Sequence, residues 1–278
     1  MARNRLVAPF MKWVGGKRQI ISSIIELLPK NIGQYNYVEP FIGGGAVLFN
    51  LQPKKVIIND LNSELINVYT VIKNNLDTLI VDLKKHKNEA DYFYQIRSLD
   101  RNKNYAKLSD IEKASRIIYL NKTCYNGLYR VNNAGEFNAP FGRYANPNIV
   151  NEATLKAVHK YLNSIDIQIM NTDYENVLQN LDKNVFVYLD PPYHPVSETS
   201  FTGYIQGGWN IYDQIRLRDA CNELHEKGIK FLLSNSATGF ILDLYKDYNI
   251  EIIKANRFIN SNSSKRGEVD EVLIRNYA

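Results

Sequence analysis

The sequence predicts an α/β fold, with a doubly wound, Rossmann-like sheet interrupted by an inserted, mostly helical segment. The apolar run Val185–Leu189 has no polar alternation, which is typical of a central parallel strand covered on both faces. Two shorter strands are predicted at residues 37–39 and 56–60, the first leading into a glycine loop and the second ending in a carboxylate. From about residue 63 to 150 the alternation of strands and helices stops.

The composition is that of a globular protein, built as one large domain or as one domain that carries an insertion. Of its 278 residues 45% are hydrophobic, and the net charge of +5 permits an anionic partner. Cys124 and Cys221 lack metal-site spacing, so we expect neither bound metal nor disulfides, as in a reducing cytosol. No apolar run approaches the roughly 18 residues of a membrane span, so a cytoplasmic protein without a membrane partner is expected.

The amino-terminal segment predicts a basic, glycine-containing loop at residues 10–18 and then an amphipathic helix. The apolar stripe of that helix consists of Ile20, Ile21, Ile24, Ile25 and Leu28. The Gly-Gly-Lys triplet of the loop resembles a phosphate-binding loop. However, Arg18 stands in the place of the required Ser or Thr and no strand precedes the loop, which argues against a nucleoside triphosphatase.

A glycine loop at residues 43–45 joins the first strand to an apolar helix at 46–51, and it allows backbone to approach a ligand closely. A dinucleotide fingerprint would need glycine where Leu48 stands, so a nicotinamide cofactor is disfavoured. Asp60 ends the second strand, a position where doubly wound folds commonly place a carboxylate that binds ribose hydroxyls.

The insertion predicts helices followed by basic, aromatic loops. Apolar residues keep helical spacing in two stretches, the second after a capping box of Ser109 and Glu112. These apolar residues are Leu65, Val68, Tyr69 and Ile72, then Ile111, Ala114, Ile117 and Ile118. Residues 116–144 contain Arg116, Lys122, Arg130 and Arg143 against the single anion Glu136. Such loops suit DNA, where cations neutralise phosphates and polar tips read base edges. A solvated surface hairpin is the alternative interpretation.

The tetrapeptide Asp190-Pro191-Pro192-Tyr193 follows the central strand. Neither proline can donate to a sheet ladder, so the backbone leaves the sheet at its carboxyl edge and the acid and the ring project into a cleft. This arrangement fits a planar amino group, whose lone pair is delocalised until acceptors draw on its two hydrogens. Asp190 and the Pro191 carbonyl would accept one hydrogen each, while Tyr193 stacks on the base. A plain strand-to-turn boundary is the alternative.

The remaining segments predict further strands, a helix and a mobile lid. A third strand is predicted at residues 165–170, and the lid at 194–209 contains Phe201 and Tyr204, with His194 interpreted as a loop residue. A helix at 213–227, a strand at 230–235 and a closing pair at 250–254 and 272–277 follow. The polar, basic connection at 260–267 suits a contact with a DNA backbone.

Several strings carry a family resemblance: KWVGGK, EPFIGGG, IND, YNGLYRVN, GEFNAPFGRY and DPPY. In this order they resemble the Dam-type DNA adenine methyltransferases, the D12 class with the α arrangement of motifs. The resemblance implies an S-adenosylmethionine-dependent methyltransferase sheet that forms the catalytic domain from residues 1–62 and 151–278, with a target-recognition domain at 63–150. It implies methylation of the exocyclic N6 amine of adenine, flipped out of duplex DNA within GATC, with S-adenosylhomocysteine as product.

The resemblance also assigns site residues. Catalytic roles fall on Asp190, Pro191, Pro192 and Tyr193, and cofactor contacts on Trp13, Lys17, Phe41, Gly43, Gly45, Asp60 and Asp190. Asp173 resembles the residue that reads the cofactor's adenine, and a helix N-cap is a compatible alternative.

On the DNA side, Tyr125 would wedge beside the extruded adenine and Asn126 would approach its abandoned thymine. The other base-reading positions are Lys12, Leu128, Arg130, Pro140 and Tyr144, and the phosphate contacts are Arg97, Asn132, Asn138 and Arg143. A functional monomer on double-stranded DNA is expected, with a cognate restriction endonuclease as a possible companion in the same system.

Two other functions remain open. The same fold could act on cytosine, RNA or a protein glutamine, although relatives of that kind usually begin the tetrapeptide with Ser or Asn rather than Asp. A DNA-binding regulator with an inactive methyltransferase fold is the third candidate.

Overall fold

The computed structural model describes residues 3–13, 15–17, 19–196, 208–256 and 268–278. Arg18, most of the predicted lid with Phe201 and Tyr204, and the predicted DNA-backbone segment at 260–267 lie outside the described residues. The described helices are α1 Ile21–Leu27, α2 Ala46–Leu51, α3 Ser63–Asn74, α4 Leu76–Leu83, α5 Ala90–Arg97, α6 Asp110–Thr123, α7 Glu152–Asn163, α8 Tyr174–Leu178, α9 Ile211–Glu226 and α10 Gly239–Leu244.

Within the described residues, seven strands form one sheet, in the order β3-β2-β1-β4-β5-β7-β6. Their bounds are β1 Asn36–Glu39, β2 Lys55–Asn59, β3 Asp166–Met170, β4 Val185–Leu189, β5 Lys230–Ser236, β6 Asn249–Asn256 and β7 Glu268–Arg275. The pairs from β3 through to β5 are parallel, whereas β7 runs antiparallel to both of its neighbours. The predicted α/β, doubly wound class is confirmed.

The strand order reverses between β1 and β4, which pair in parallel with Tyr37 opposite Phe186. In open α/β sheets, ligands bind at the carboxyl ends of the strands on either side of such a reversal. The glycine loop follows β1 and the Asp-Pro-Pro-Tyr tetrapeptide follows β4, so both lie at this point.

Helices cover both faces of the sheet, because successive strand residues point to opposite sides. On one face, Tyr37, Phe186 and Tyr188 pack with α1 to α7 in the larger core, and on the other, Val187 and Leu189 pack with α8, α9 and α10. All five residues of β4 are buried, as its apolar run predicts.

The inserted helices follow the predicted spacing closely. Every predicted apolar residue of α3 and α6 is buried or packs against the core, and the capping box of Ser109 and Glu112 begins α6. The prediction for α1 is wrong at Ile25, which is 36% exposed because the helix is short and only one side of it meets the core.

The predicted charge of the insertion also needs a correction. Arg116 is 3% exposed, with its guanidinium paired to Asp100 at 2.7 Å and bonded to the Ile96 carbonyl at 2.9 Å. It therefore stabilises the interior of the insertion and is not available to neutralise a phosphate. Among the described residues, no helix is long and apolar enough to cross a membrane, and no cluster of His, Cys, Asp or Glu suits a metal ion.

Candidate active site and DNA-binding surface

Asp190 lies at the carboxyl end of β4 and is held by two donors. The Lys17 ammonium is 2.7 Å from its Oδ1 atom, and the Ser234 hydroxyl donates to the same oxygen at 3.0 Å. Burial raises the pKa of Asp190 above its usual value, whereas Lys17 and Ser234 act in the opposite direction because they stabilise the carboxylate. The structure thus places Lys17, a predicted cofactor contact, directly on the predicted catalytic acid.

Tyr193 contacts the same Lys17 ammonium group. The Lys17 Nζ atom lies 4.7 Å from the centroid of its ring, within cation–π range. The Tyr193 hydroxyl donates to Glu271 Oε2 at 3.0 Å, and burial is the first cause of a raised pKa that keeps this phenol protonated. Glu271 on β7 therefore fixes the orientation of the Tyr193 ring. This strand is the neighbour of β5 on the side away from β4.

Polar residues at the end of β5 and on α9 hold the tetrapeptide in place. Gln214 donates from Nε2 to the Pro192 carbonyl at 2.9 Å, and Asn235 bonds both Gln214 and the His194 N–H. The His194 imidazole bonds the Thr238 hydroxyl at 3.0 Å, in keeping with its interpretation as a loop residue. Among the described residues, no donor reaches the Pro191 carbonyl.

Ser236 also supports the segment, since its hydroxyl donates to the His194 carbonyl at 2.5 Å. Sequence reasoning missed these supporting residues: Gln214, Ser234, Asn235, Ser236 and Glu271. Four of them, Gln214 and the β5 residues, are 1% exposed or less. The signal was present at β5, where the apolar run Phe-Leu-Leu is followed by Ser-Asn-Ser inside one strand. Three buried polar residues in a row need partners, and at a strand end these partners belong to a site.

The glycine loop lies next to Asp60, whose carboxylate accepts the N–H groups of Gly43 at 3.1 Å and Asn62 at 3.0 Å. Burial raises the pKa of Asp60 to about 6. Gly43 and Gly45 have φ values of +48° and +68°, which favour glycine. A Cβ atom on Gly43 would lie 2.9 Å from Cδ1 of Trp13, so the loop packs directly on the indole.

An aromatic group lies beside the glycine loop and consists of Phe41, Tyr174 and Trp209. The Phe41 ring is 5.1 Å from that of Tyr174 and 5.7 Å from that of Trp209. The buried Trp209 Nε1–H has no acceptor among the described residues. Asp173 caps α8 by accepting the Glu175 N–H and pairs with Arg216 at 2.7 Å, so the N-cap interpretation is confirmed.

The predicted recognition loops pack side by side. The Tyr125 N–H donates to the Pro140 carbonyl at 2.8 Å, and Cys124 and Phe141 form an antiparallel bridge. Tyr125, Asn126, Pro140 and Arg143 are exposed, while Leu128, Arg130 and Tyr144 are partly buried.

Several predicted DNA contacts already have partners within the protein. Asn138 accepts a hydrogen bond from Arg130 Nε at 2.6 Å, and Asn132 donates to Glu136 at 2.8 Å. Arg97 donates to the Ala139 carbonyl at 3.2 Å. The Arg130 guanidinium is therefore oriented before any DNA arrives, whereas the roles of Asn132, Asn138 and Arg97 at phosphates stay predictions.

Together, the sheet reversal and the acid–proline–aromatic sequence at its edge fit an α/β enzyme with a hydrogen-bond acceptor next to an aromatic ring. The model of the family described as D12 class N6 adenine-specific DNA methyltransferase matches residues 13–259. The chain therefore belongs to this family and is an adenine-specific DNA methyltransferase, an activity that needs a methyl donor and DNA. This assignment selects the adenine amine among the acceptors that the sequence left open.

Relatives match over nearly the whole chain. The Type II methyltransferase M1.LlaDCHI of Lactococcus lactis subsp. cremoris is 45% identical, over 100% of this chain and 98% of its own length. The Type II methyltransferase M.MjaIII of Methanocaldococcus jannaschii is 45% identical, over 98% and 99%. The DNA adenine methylase of Escherichia coli (strain K12) is 34% identical, over 98% and 95%.

Proposed function

We propose that the chain methylates the N6 amine of adenine within GATC in duplex DNA, with S-adenosylmethionine as the methyl donor and with the target base flipped into the pocket of Asp190 and Tyr193. The observation that carries the proposal is the carboxylate of Asp190, 2.7 Å from a cation that also lies over the Tyr193 ring. The target sequence is supported by the match of the recognition loops to the Dam-type motifs.

The residues beside the glycine loop fit S-adenosylmethionine. Gly43 and Gly45 let backbone approach the methionine portion, and Asp60 supplies a carboxylate for ribose hydroxyls at the end of β2. The orphaned Trp209 Nε1–H offers a donor next to Phe41, where an adenine ring would meet aromatic surface. When bound, this cofactor supplies an electrophilic methyl group on a sulfonium.

The chemistry requires Asp190 to be an acceptor and Tyr193 to be a platform. The Lys17 ammonium donates to Asp190 and lies over the ring, so it occupies the space in which a stacked amine would bind. An entering adenine replaces this contact with its own N–H, and the Pro191 carbonyl accepts the second hydrogen. These two acceptors would raise electron density on N6 and so prepare it to take the methyl group that the cofactor would supply. The product amine then releases a proton, so no general base is needed.

The position of Asp190 at the carboxyl edge of the sheet supports base flipping. An amine inside a duplex cannot reach Asp190 unless its nucleotide rotates out, which requires a few kcal/mol. Tyr125 is 55% exposed and stands beside Asn126 on the recognition loop, where it is suited to fill the space left in the stack. The Type II names of two relatives support a role in a restriction–modification system.

The test is transfer of labelled methyl from S-adenosylmethionine to duplexes that contain GATC or a permutation of the same bases, followed by identification of the modified nucleoside. We expect N6-methyladenine in the GATC duplex alone, and brightening of 2-aminopurine placed at the target position. Equal labelling of both duplexes would refute the proposed sequence, and binding without brightening would refute the flipping.

A further inference from the structure

The buried side chain of Asn121 joins two segments that are distant in sequence. It lies near the end of α6 and is 1% exposed. Its Oδ1 atom accepts the Lys12 N–H at 2.9 Å, and its Nδ2 atom donates to the carbonyls of Lys12 at 2.7 Å and Gly127 at 3.0 Å. One amide thus fixes both backbone groups of Lys12 and the end of the Tyr125–Gly127 turn.

Packing around this amide is tight. Gly127 has a φ of +65°, and a Cβ atom there would lie 2.5 Å from Cδ of Lys12, so the turn rests directly on the lysine side chain. The Lys12 Nζ atom lies 5.5 Å from the Tyr144 ring, and the Tyr125 N–H is bonded to the Pro140 carbonyl. Four residues predicted to read bases are therefore arranged around one buried hydrogen-bonding group.

The chemistry of this position suits an amide specifically. Asn121 faces one backbone donor and two backbone acceptors, which requires one acceptor and two donors in a single planar group. A fully satisfied buried polar group specifies one arrangement of its partners, since any shift leaves a partner unpaired. A one-residue or half-turn slip between the Lys12 segment and the turn is excluded in this way.

We propose that Asn121 is a positioning residue for sequence discrimination: it holds Lys12 and the Tyr125–Gly127 turn in one register, although it touches no DNA itself. The inference rests on the proposed function, because it takes Lys12 and Tyr125 as DNA-reading residues. Lys12 and the Tyr125–Gly127 turn would contact neighbouring bases. Their relative position then depends on the three hydrogen bonds of the Asn121 amide.

The chain offers a matched control in Asn59, which is also 1% exposed. Its Nδ2 atom donates to the carbonyls of Pro40 and Thr172, both at 3.0 Å, and its Oδ1 atom accepts the Thr172 N–H at 2.9 Å. The two amides make the same set of bonds, but Asn59 makes them at the cofactor edge of the sheet. Replacement of either by Asp keeps the shape and removes two donors.

The experiment compares Asn121→Asp with Asn59→Asp by melting temperature, cofactor affinity, and kcat/KM on the duplex that wild type prefers and on its single-base variants. We expect both variants to be less stable. Only Asn121→Asp should reduce discrimination between these duplexes, by about tenfold or more, because the loss of one good base contact has an effect of that order. Only Asn59→Asp should weaken cofactor binding. Wild-type discrimination in a folded Asn121→Asp would overturn the inference.

A second variant keeps the inference testable if Asn121→Asp does not fold. Gly127→Ala places a methyl group against the Lys12 side chain and leaves Asn121 intact, so it should also reduce discrimination while cofactor affinity stays unchanged. If Gly127→Ala discriminated between the duplexes as well as wild type does, the proposed role of the register between Lys12 and the turn would be wrong. If instead wild type methylates adenine at another sequence, the proposed GATC specificity fails, but the comparison of variants on that sequence still tests Asn121.

Discussion

At the residue scale, Asp190 has a distinct role because donors already surround its carboxylate. Lys17 and Ser234 donate to it and so oppose the burial that raises its pKa. An ionised acceptor next to the Tyr193 ring is what a planar amine needs in order to become nucleophilic.

We predict that Asp190→Ala abolishes most turnover and that Asp190→Asn is nearly as damaging. Removal of an electrostatic group aimed at the reacting atom typically lowers the rate on the order of a hundredfold or more. Ser234→Ala should reduce the rate far less, because it removes one supporting hydrogen bond and leaves the Asp190 carboxylate as the acceptor for the amine. Single-turnover methylation rates at saturating cofactor rank the three variants. Near-normal activity of Asp190→Ala would refute the mechanism.

The hydrogen bond from Tyr193 to Glu271 gives a second prediction, for a residue that sequence reasoning missed. Loss of a hydrogen bond is worth about 0.5–1.5 kcal/mol, so Glu271→Ala should slow methylation several-fold to about tenfold. Glu271→Gln should retain most of the activity, since an amide oxygen still accepts the phenol proton.

A double-mutant cycle separates positioning from general structural support, because Glu271 has other contacts as well. Tyr193→Phe removes the same hydrogen bond from the other side. If Glu271 acts through the Tyr193 hydroxyl, then Glu271→Ala adds nothing in the Tyr193→Phe background when single-turnover rates are compared. Fully additive losses would show that Glu271 acts elsewhere.

At the scale of elements, the sequence predicted the strands and helices that depend on local side-chain patterns. The strand β4 was recognisable because every side chain is apolar, and α6 because its capping box precedes a helical stripe. The contact of Tyr193 with Glu271, 78 residues apart, was not recognisable, because nothing local fixes which strand lies beside β5. The burial of Arg116 escaped prediction for the same reason, since its partners are carbonyls of another helix and Asp100.

The two basic recognition loops, paired by the Cys124–Phe141 bridge, support a third prediction, which separates base reading from phosphate binding. Asn138 orients the Arg130 guanidinium, whereas Arg143 is exposed and projects from a backbone with a φ of +53°. An oriented guanidinium presents two donors to guanine O6 and N7. Arg130→Ala should therefore lose about 1–3 kcal/mol on GATC but little on duplexes altered at that guanine.

Arg143→Ala is the matched comparison, expected to weaken all duplexes alike and to lower the slope of the salt dependence by about one unit. Binding of both variants to GATC and its single-base variants across a salt series measures the difference. Uniform weakening by Arg130→Ala would show that this arginine contacts only phosphate.

At the scale of the whole molecule, the insertion and the sheet share one hydrophobic core. Residues of α3, α4, α5 and α6, such as Phe93 and Ile117, belong to the same cluster as Phe186 and Tyr188 of β4. The division into a catalytic domain and a target-recognition domain at residues 63–150 therefore stays a prediction about function, while the apolar packing couples the stability of the two parts.

His86 makes this coupled stability depend on pH. Its imidazole bonds the Tyr92 and Ser115 hydroxyls at 2.9 and 3.0 Å and stacks on Tyr119, and burial lowers its pKa to about 4. The unfolded chain binds a proton below about 6.5, whereas the folded protein resists protonation until about pH 4. The contribution of His86 to the free energy of unfolding is thus fully present above pH 6.5 and declines as the pH falls from there toward 4.

The measurement compares melting temperatures of wild type and His86→Gln between pH 7.5 and 5. Asp60 acts in the opposite direction, because its raised pKa of about 6 gives stability that is present below its unfolded pKa near 3.8 and is lost as the pH rises through 6. Both proteins retain Asp60, so their difference isolates the histidine. We expect wild type to melt well above the variant at pH 7.5, and this gap to narrow steadily toward pH 5, since only wild type pays the free energy of keeping a buried imidazole neutral. A gap that stays constant with pH would show that His86 is protonated as easily in the fold as in the unfolded chain.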